Sequence, residues 1–317
     1  MKSYRKLLTL GTALAATVLL AACQTNGSKT AASSTSDSQA KQELVKKDHL
    51  GHEVTIPGQP KRIIGSYLED YLVALDEKPV AQWTVGGGSL QNYLQDKLKD
   101  VPTINYDLPY EKVLEYEPDL LLIGDDSAVE GGKYEEYSKI APTYVVKNGA
   151  DVTWQDKLKD IASVLQKDDK ATEVLKTYDS LVDDTKSQLQ DKIKGKSVAV
   201  LWVSNNSAFM VADNRSSGDL LYNQLGFSVP NLTKEISASA TSDWSAVSLE
   251  KLAQLDADYL ILVNSDTGAA MFNDQIWQNI PAVKNGNLWE FSPEHSWLYN
   301  GPIAYTKMIE DVSAKLK

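Results

Sequence analysis

Aromatic side chains recur where predicted strands end, and these residues are well suited to line a binding site. They are Trp83, Tyr106, Trp202, Trp244, Trp297 and Tyr299. Ordinary packing would explain any one of them equally well, because aromatic rings are large and apolar. Their distribution over both halves of the chain favours an apolar-walled cleft that holds a flat or bulky ligand.

Few side chains offer charged or polar contacts to such a cleft. Arg215, in the segment ADNRSSGDLLY, precedes a predicted helix and is placed to reach a negatively charged ligand oxygen. Arg62 lies between a predicted hairpin and a strand, where we expect a structural role. His295, in SPEHSWLYN, lies near the predicted cleft as a candidate polar contact or haem ligand, although an ordinary loop histidine is the simpler interpretation.

The chain carries no motif of a common catalytic centre. It lacks a G-x-S-x-G elbow, an H-E-x-x-H helix and a Walker loop, and the glycine-rich VGGGS at 85–89 is interpreted as a loop at the cleft. Three histidines and one cysteine are too few to predict direct binding of manganese or zinc. We therefore expect a protein that is not an enzyme and has no resident cofactor; catalysis by dispersed residues is the alternative.

The composition is acidic, with 32 Lys and Arg against 43 Asp and Glu and a net charge of −11. Binding to the phosphate backbone of a nucleic acid requires the opposite sign of charge. Nucleic acid is therefore not expected as a partner.

The elements that position these residues alternate between short apolar runs and amphipathic stretches. A β-hairpin with its turn at Asp48–Gly51 is predicted first. The apolar runs that follow are 62–66, 79–83, 101–104, 119–124, 142–146, 197–203, 258–263 and 287–291. Strands separated by helices at this spacing predict parallel sheets that are covered on both faces.

A helical connector is predicted between the two sets of strands. Residues 153–193 contain neither Gly nor Pro and carry apolar residues at spacings of three, four and seven. Most of this segment, from 169 to 193, is predicted as one helix; an isolated coiled coil is the alternative, although few charge pairs support it. The expected fold is α/β, with Rossmann-like lobes of mainly parallel strands at 42–152 and 195–317 joined by one long α-helix within the connector 153–194.

The N-terminus is typical of a targeting signal. Three basic residues precede an apolar run of about 14 residues, short of the roughly 20 that span a bilayer. The run ends in Leu20-Ala21-Ala22-Cys23, which resembles the lipobox of bacterial lipoproteins. We expect a signal peptide at 1–22, acylation of Cys23 and a flexible tether at 23–41 that holds the protein on the outer face of the cytoplasmic membrane.

One phrase occurs twice, as EKVLEYEPDLLLI at 111–123 and as EKLAQLDADYLIL at 250–262. Each copy predicts a short helix that leads into a strand buried on both faces. We interpret the two copies as equivalent elements of two similar lobes, with Glu111 and Glu250 in matching first helical turns. A carboxylate in that position is also favoured by the helix macrodipole wherever it occurs.

The order of several segments resembles the siderophore-type substrate-binding lipoproteins of bacterial ABC importers. These segments are DHLGHEVTIPGQPKRII, YEKVLEYEPDLLLIG, SSGDLLYNQLGF, SLEKLAQLDADYLILV and WLYNGPIAYTKMIEDV. The resemblance covers essentially all of 42–317 and implies a receptor that binds a ferric siderophore between its lobes. It also implies that Glu111 and Glu250 dock into arginine pockets of an ABC permease dimer, which works with its ATPase subunits.

Charge separates the candidate ligands. A ferric tris-catecholate carries about three negative charges, which would require several cationic groups. Arg215 is the one arginine well placed for that purpose, although lysines such as Lys133 would change the balance. A near-neutral ferric hydroxamate is therefore the expected ligand, and haem and cobalamin are the alternatives.

Overall fold

Strands and helices alternate along the chain as the apolar runs predict. The computed structural model describes residues 42–317, so the predicted signal peptide, Cys23 and the tether to residue 41 lie outside the described residues. The strands are β1 Leu44–Lys47, β2 Glu53–Ile56, β3 Ile63–Ser66, β4 Gln82–Thr84, β5 Thr103–Asn105, β6 Leu120–Ile123, β7 Thr143–Val145, β8 Val198–Ser204, β9 Ser207–Val211, β10 Trp244–Val247, β11 Tyr259–Asn264 and β12 Leu288–Phe291. The α-helices are α1 Glu69–Ala74, α2 Gln95–Leu98, α3 Tyr110–Glu115, α4 Lys133–Ser138, α5 Trp154–Val164, α6 Asp168–Ile193, α7 Ser216–Gly218, α8 Asn231–Ser237, α9 Leu249–Leu252, α10 Gln275–Asn279, α11 Pro281–Lys284 and α12 Pro302–Leu316.

Parallel pairing organises the part of the chain from β1 to β7, which we call the N-terminal lobe. Strands β3, β6 and β7 form one parallel sheet in the order β3-β6-β7, and β4 pairs in parallel with β5. An isolated bridge between Ile64 and Ala81 connects the two sheets. Every residue of β6 is buried, as its continuous apolar run requires in a sheet that is covered on both faces. The opening hairpin β1-β2 is antiparallel, as predicted.

A single sheet in the order β10-β9-β8-β11-β12 organises the C-terminal lobe, which contains β8 to β12 and α12. Its parallel part is formed by β8, β11 and β12, whereas β9 and β10 are antiparallel additions. The apolar runs did not predict these two strands. The missed signal is Asn205-Asn206, whose φ angles of 49° and 53° suit the tight turn of a two-residue hairpin.

The repeated phrase builds equivalent elements in the two lobes. In the first copy the carboxylate of Asp119 accepts hydrogen bonds from the N–H groups of Lys61 and Arg62, at 2.8 and 2.9 Å, at the start of β3. In the second copy Asp258 accepts a hydrogen bond of 2.8 Å from the N–H of Ser197, at the start of β8. Each aspartate thus fixes the entry of the strand that pairs in parallel with its own.

The long helix α6 follows α5 after a short break. It has 26 residues and begins one residue before the predicted start, which gives a length of about 39 Å. Its apolar face carries Tyr178, Val182 and Leu189, which join a core that also contains Leu72 of the N-terminal lobe and Ile261 of the C-terminal lobe. One hydrophobic cluster therefore spans α6 and both lobes. Within residues 42–317, no helix combines the length and the apolar character needed to cross a bilayer.

The last helix, α12, also connects the lobes. It begins at Pro302 without a side-chain cap of its own. Asp70 of α1 accepts hydrogen bonds from the N–H of Ile303 at 2.9 Å and from the hydroxyl of Tyr93 at 2.9 Å. Gly301 precedes the helix with φ 142°, and a Cβ at this position would lie 2.4 Å from Asp70 Oδ1. A side chain at residue 301 would therefore displace the carboxylate.

Candidate ligand-binding cleft

A cavity of about 800 Å³ lies at the carboxyl ends of the parallel strands of the N-terminal lobe. Ser66 at the end of β3, Trp83 in β4, Tyr106 after β5 and Gly124 after β6 all contribute to its wall. In α/β sheets this edge is the usual location of ligand sites, and typical cavities measure about 300 to 1,000 Å³. The sequence-predicted residues Trp83 and Tyr106 are therefore brought together at one cavity.

Tyr67 adds an aromatic wall that sequence reasoning did not identify. It follows β3 with φ 60°, and 42% of its surface is exposed. Its ring centroid lies 4.9 Å from that of Trp83 and 6.1 Å from that of Tyr299. A positive φ is uncommon for a bulky residue, and such strained residues cluster at functional sites. Its position directly after a strand was the available sequence signal.

A buried carboxyl group holds the backbone of Trp83 in place. Glu69 is 1% exposed, and its Oε1 accepts a hydrogen bond of 2.6 Å from the N–H of Trp83. Burial raises the pKa of Glu69 to about 8, so the group is protonated at neutral pH. Its second oxygen, Oε2, has no hydrogen-bond partner within residues 42–317.

A second cavity, of about 490 Å³, is lined by residues of both lobes. Asp125 and Lys157 contribute from one side, and Arg215, Asp243 and Asn300 contribute from the other. The two cavities have Gly124, Asp125 and Lys157 in common. Together they form a cleft with an aromatic part on the N-terminal lobe and a charged part between the lobes. We call this feature the interlobe cleft.

Arg215 contributes a guanidinium to the cleft. The residue is half-buried, and within residues 42–317 its side chain makes neither a hydrogen bond nor an ion pair. The loop that carries it is held by Tyr305, whose hydroxyl donates a hydrogen bond of 2.9 Å to the carbonyl of Ser216. Gly218 permits close packing there, because a Cβ would lie 2.0 Å from the carbonyl oxygen of Ala212.

Arg62 has the structural role that its position predicted. Its Nε donates a hydrogen bond of 2.7 Å to the carbonyl of Glu117, and its Nη2 donates to the carbonyl of Tyr116. These bonds connect the start of β3 to the loop before β6. Of the two arginines within residues 42–317, only Arg215 is thus available to a ligand.

Trp297 does not line the cleft, and this sequence prediction is wrong. The residue is completely buried, its Nε1 donates a hydrogen bond of 2.9 Å to Asp311, and its ring stacks on Phe291. The short helical turn Ser296–Leu298 directs the indole towards α12 and the core. His295 also lies against Asp311, 3.1 Å from its Oδ2, and lines neither cavity.

The remaining predicted aromatic residues lie behind or beside the cavities. Tyr299 is mostly buried, and its hydroxyl donates a hydrogen bond of 2.9 Å to the carbonyl of Leu90, so it supports Tyr67 from behind. Trp202 and Trp244 are half-buried on the C-terminal sheet with ring centroids 6.1 Å apart. Neither lines the cavities, and their contact with a ligand stays a prediction.

The two glutamates of the repeated phrase are exposed at matching positions. Glu111 lies in the first turn of α3 and Glu250 in the first turn of α9. Hydrogen bonds from its own backbone N–H and from Ser248 lower the pKa of Glu250, so it is ionised at neutral pH. Leu114, on the same short helix as Glu111, is 61% exposed. Both copies of the repeated phrase therefore present this glutamate to solvent.

Similar α/β lobes joined by one long helix, with a cavity at the strand ends, are the architecture of a two-lobed solute-binding protein. A model of the periplasmic binding protein family matches residues 69–294, and the chain therefore belongs to this family. This finding confirms the resemblance drawn from the sequence.

Individual relatives match over nearly the whole chain. The iron(3+)-hydroxamate-binding protein FhuD of Bacillus subtilis (strain 168) is 27% identical over 99% of this chain and 98% of the relative. The probable siderophore-binding lipoprotein YfiY of the same organism is 29% identical over 94% of each. The crystal structure of Staphylococcus aureus SirA complexed with staphyloferrin B aligns with a TM-score of 0.71 and 25% identity, covering 86% of this chain and 98% of that chain. The predicted fold is confirmed.

Proposed function

We propose that this protein is an extracytoplasmic receptor that captures a ferric siderophore, preferably a hydroxamate, in the interlobe cleft and delivers it to an ABC permease. The observation that carries the proposal is the cavity walled by Trp83 and Tyr106 at the strand ends, which shares lining residues with a second cavity that Arg215 lines. The names of the relatives FhuD and YfiY support the same class of ligand.

The charges of the cleft favour a chelate of low net charge. In the cavity between the lobes, Arg215 and Lys157 are accompanied by the carboxylates of Asp125 and Asp243. A ferric tris-catecholate, with about three negative charges, would leave much of its charge uncompensated in such a site. A near-neutral ferric hydroxamate would place its apolar backbone against the aromatic rings and an iron-bound oxygen near the guanidinium.

Haem and cobalamin are the alternative ligands for the same fold. The residue that could have favoured haem was His295, but it lies against Asp311 and lines neither cavity. No observation of this kind favours haem or cobalamin over a ferric hydroxamate. Turnover of the bound chelate is not expected, because the proposed role is capture and release.

Delivery would use Glu111 and Glu250. Their exposure and their matching positions, one on each lobe, suit a permease dimer that offers one basic pocket in each subunit. The ATPase subunits would then drive transport.

The protein would be held near the permease by a lipid anchor at Cys23, on the outer face of the cytoplasmic membrane. The lipobox-like sequence and the description of the relative YfiY as a lipoprotein support this part of the proposal. Two acyl chains on one cysteine would give stable anchoring without a membrane span.

The ligand is tested by titrating the full-length chain, purified in mild detergent, with ferric desferrioxamine B, ferrichrome, a ferric tris-catecholate, haem and cobalamin. Tryptophan fluorescence is a suitable signal because Trp83 lies on the cavity wall. We expect saturable quenching by the two ferric hydroxamates, weaker binding of the catecholate and no comparable response to iron-free desferrioxamine B. Absence of quenching by every iron chelate, or a preference for haem or cobalamin, would overturn the proposal.

A further inference from the structure

Lys157 occupies a central position in the interlobe cleft. It lies on α5, at the start of the helical connector, and is one of the residues that line both cavities. Lys133, by contrast, lines only the cavity of the N-terminal lobe. A ligand that fills both cavities must therefore pass the Lys157 side chain.

The Lys157 ammonium is incompletely satisfied by the protein. Its Nζ donates a hydrogen bond of 3.2 Å to the carbonyl oxygen of Gly124. Within residues 42–317, no carboxylate oxygen lies within 4.0 Å of Lys157 Nζ, the limit for an ion pair. An ammonium group carries three N–H donors. The hydrogen bond to Gly124 uses one of them, so the others can bind a ligand in the cleft.

Burial makes this arrangement costly for the free protein. Burial lowers the pKa of Lys157, while the more distant carboxylates of Asp125 and Asp243 oppose this effect. A cation in a partly desolvated site is stabilised when an anionic partner enters. An iron-bound hydroxamate oxygen is such a partner, because it carries negative charge and accepts hydrogen bonds.

We infer that Lys157 is a ligand-contacting residue that donates a hydrogen bond to a negatively charged oxygen of the ferric chelate. This inference rests on the proposed function. Lys157 acts from the side of the N-terminal lobe and Arg215 from the C-terminal lobe, so the chelate is held by one cation on each side. The pair selects chelates that expose oxygen acceptors at two separate points.

The test compares Lys157→Met with Lys159→Met in the full-length chain. Methionine removes the charge and keeps an unbranched side chain, and Lys159 is an exposed lysine on the same helix. Affinities for ferric desferrioxamine B, ferrichrome and a ferric tris-catecholate are measured by fluorescence titration. Loss of a hydrogen bond to a charged group predicts an affinity for the ferric hydroxamates that is about ten- to a hundredfold lower in Lys157→Met. Lys159→Met should bind as the wild type does.

The chelate series separates a ligand contact from a structural role. As a contact, Lys157 should matter most for the anionic catecholate, and Lys157→Arg should recover much of the affinity for ferric hydroxamates. If Lys157 only held the Gly124 carbonyl, Lys157→Met would lower the melting temperature and weaken all chelates equally, which would overturn the inference. Unchanged affinity would also overturn it. A wild-type protein that binds no ferric chelate would refute the proposed function itself, and the inference with it.

Discussion

The carboxylate of Asp70 accepts a hydrogen bond of 2.8 Å from the N–H of Ala304, a residue 234 positions later in the chain. Asp70 belongs to the N-terminal lobe, and Ala304 lies in the first turn of α12 in the C-terminal lobe. The carboxylate is therefore the N-terminal cap of a helix in the other lobe. This contact and the long helix α6 restrict how far the two walls of the cleft can move relative to each other.

Replacement of Asp70 by Ala should lower the stability of the protein. Loss of a helix cap costs about 0.5 to 2 kcal/mol, and the buried N–H groups of Ile303 and Ala304 would also lose their partner. Urea unfolding is the measurement. Asp96→Ala, at an exposed position of α2, is the control and should change the free energy of unfolding by less than about 0.5 kcal/mol. Equal stability of the two variants would contradict the capping role.

The pH dependence of stability should reveal the two buried carboxyl groups. Burial raises the pKa of Glu69 to about 8 and that of Asp70 to about 7. At pH values between the ordinary carboxyl pKa and these raised values, the native protein retains protons that the unfolded chain has released. The contribution of these groups to the free energy of unfolding should therefore fall as pH rises from about 4.5 to about 8.

Glu69→Gln tests this contribution, because Gln resembles a protonated glutamate in shape and cannot titrate. Urea unfolding of the wild type and of Glu69→Gln is measured between pH 5 and pH 9. The wild type should lose more stability than the variant as pH rises through this window. Parallel pH profiles would contradict the raised pKa of Glu69.

Replacement of Arg215 by Ala should weaken ligand binding without unfolding the protein. Its guanidinium has no partner within residues 42–317, so stability should change by less than about 0.5 kcal/mol. The affinity for ferric desferrioxamine B should fall about tenfold or more if the guanidinium bonds an iron-bound oxygen. Arg62→Ala is the matched variant. It should lower the stability and leave the affinity for the ligand unchanged, because Arg62 donates a hydrogen bond to the carbonyl of Glu117. Normal affinity in Arg215→Ala would remove Arg215 from the ligand site.

Charge reversal at Glu111 and Glu250 should separate ligand binding from delivery. Both side chains are exposed and lie outside the two cavities, so the double Arg variant should bind ferric desferrioxamine B normally. Transport by the reconstituted permease complex should be lost, because like charges would face each other at the docking surface. Glu53→Arg, at an exposed position of the hairpin, should transport normally. A loss of affinity in the double variant would contradict this division of labour.

Strands and helices with a clear pattern of apolar residues were predictable from the sequence. The parallel strands appear as continuous apolar runs, and α6 begins within one residue of its predicted start. The strands β9 and β10 were missed because each is short, with five and four residues, and mixes buried with exposed positions. The turn Asn205-Asn206 was the clearer signal.

Individual side chains of the site were harder to predict, because orientation depends on tertiary packing. Trp297 and Tyr299 lie two residues apart near a predicted cleft, yet one is packed beside Asp311 and the other supports Tyr67. Lys157 resembled any lysine on the polar face of a helix, and only the fold places it between the two cavities. Sequence spacing identifies the elements, whereas the fold decides which of their side chains meet.

Anomalous diffraction at the iron edge is the most direct test of a ferric chelate in the interlobe cleft. Crystals grown with ferric desferrioxamine B should show one strong anomalous peak between the wall formed by Trp83 and Tyr106 and the guanidinium of Arg215. Crystals of ordered protein with no iron peak in the cleft, or with iron bound only elsewhere on the surface, would contradict binding of the ferric chelate in the interlobe cleft.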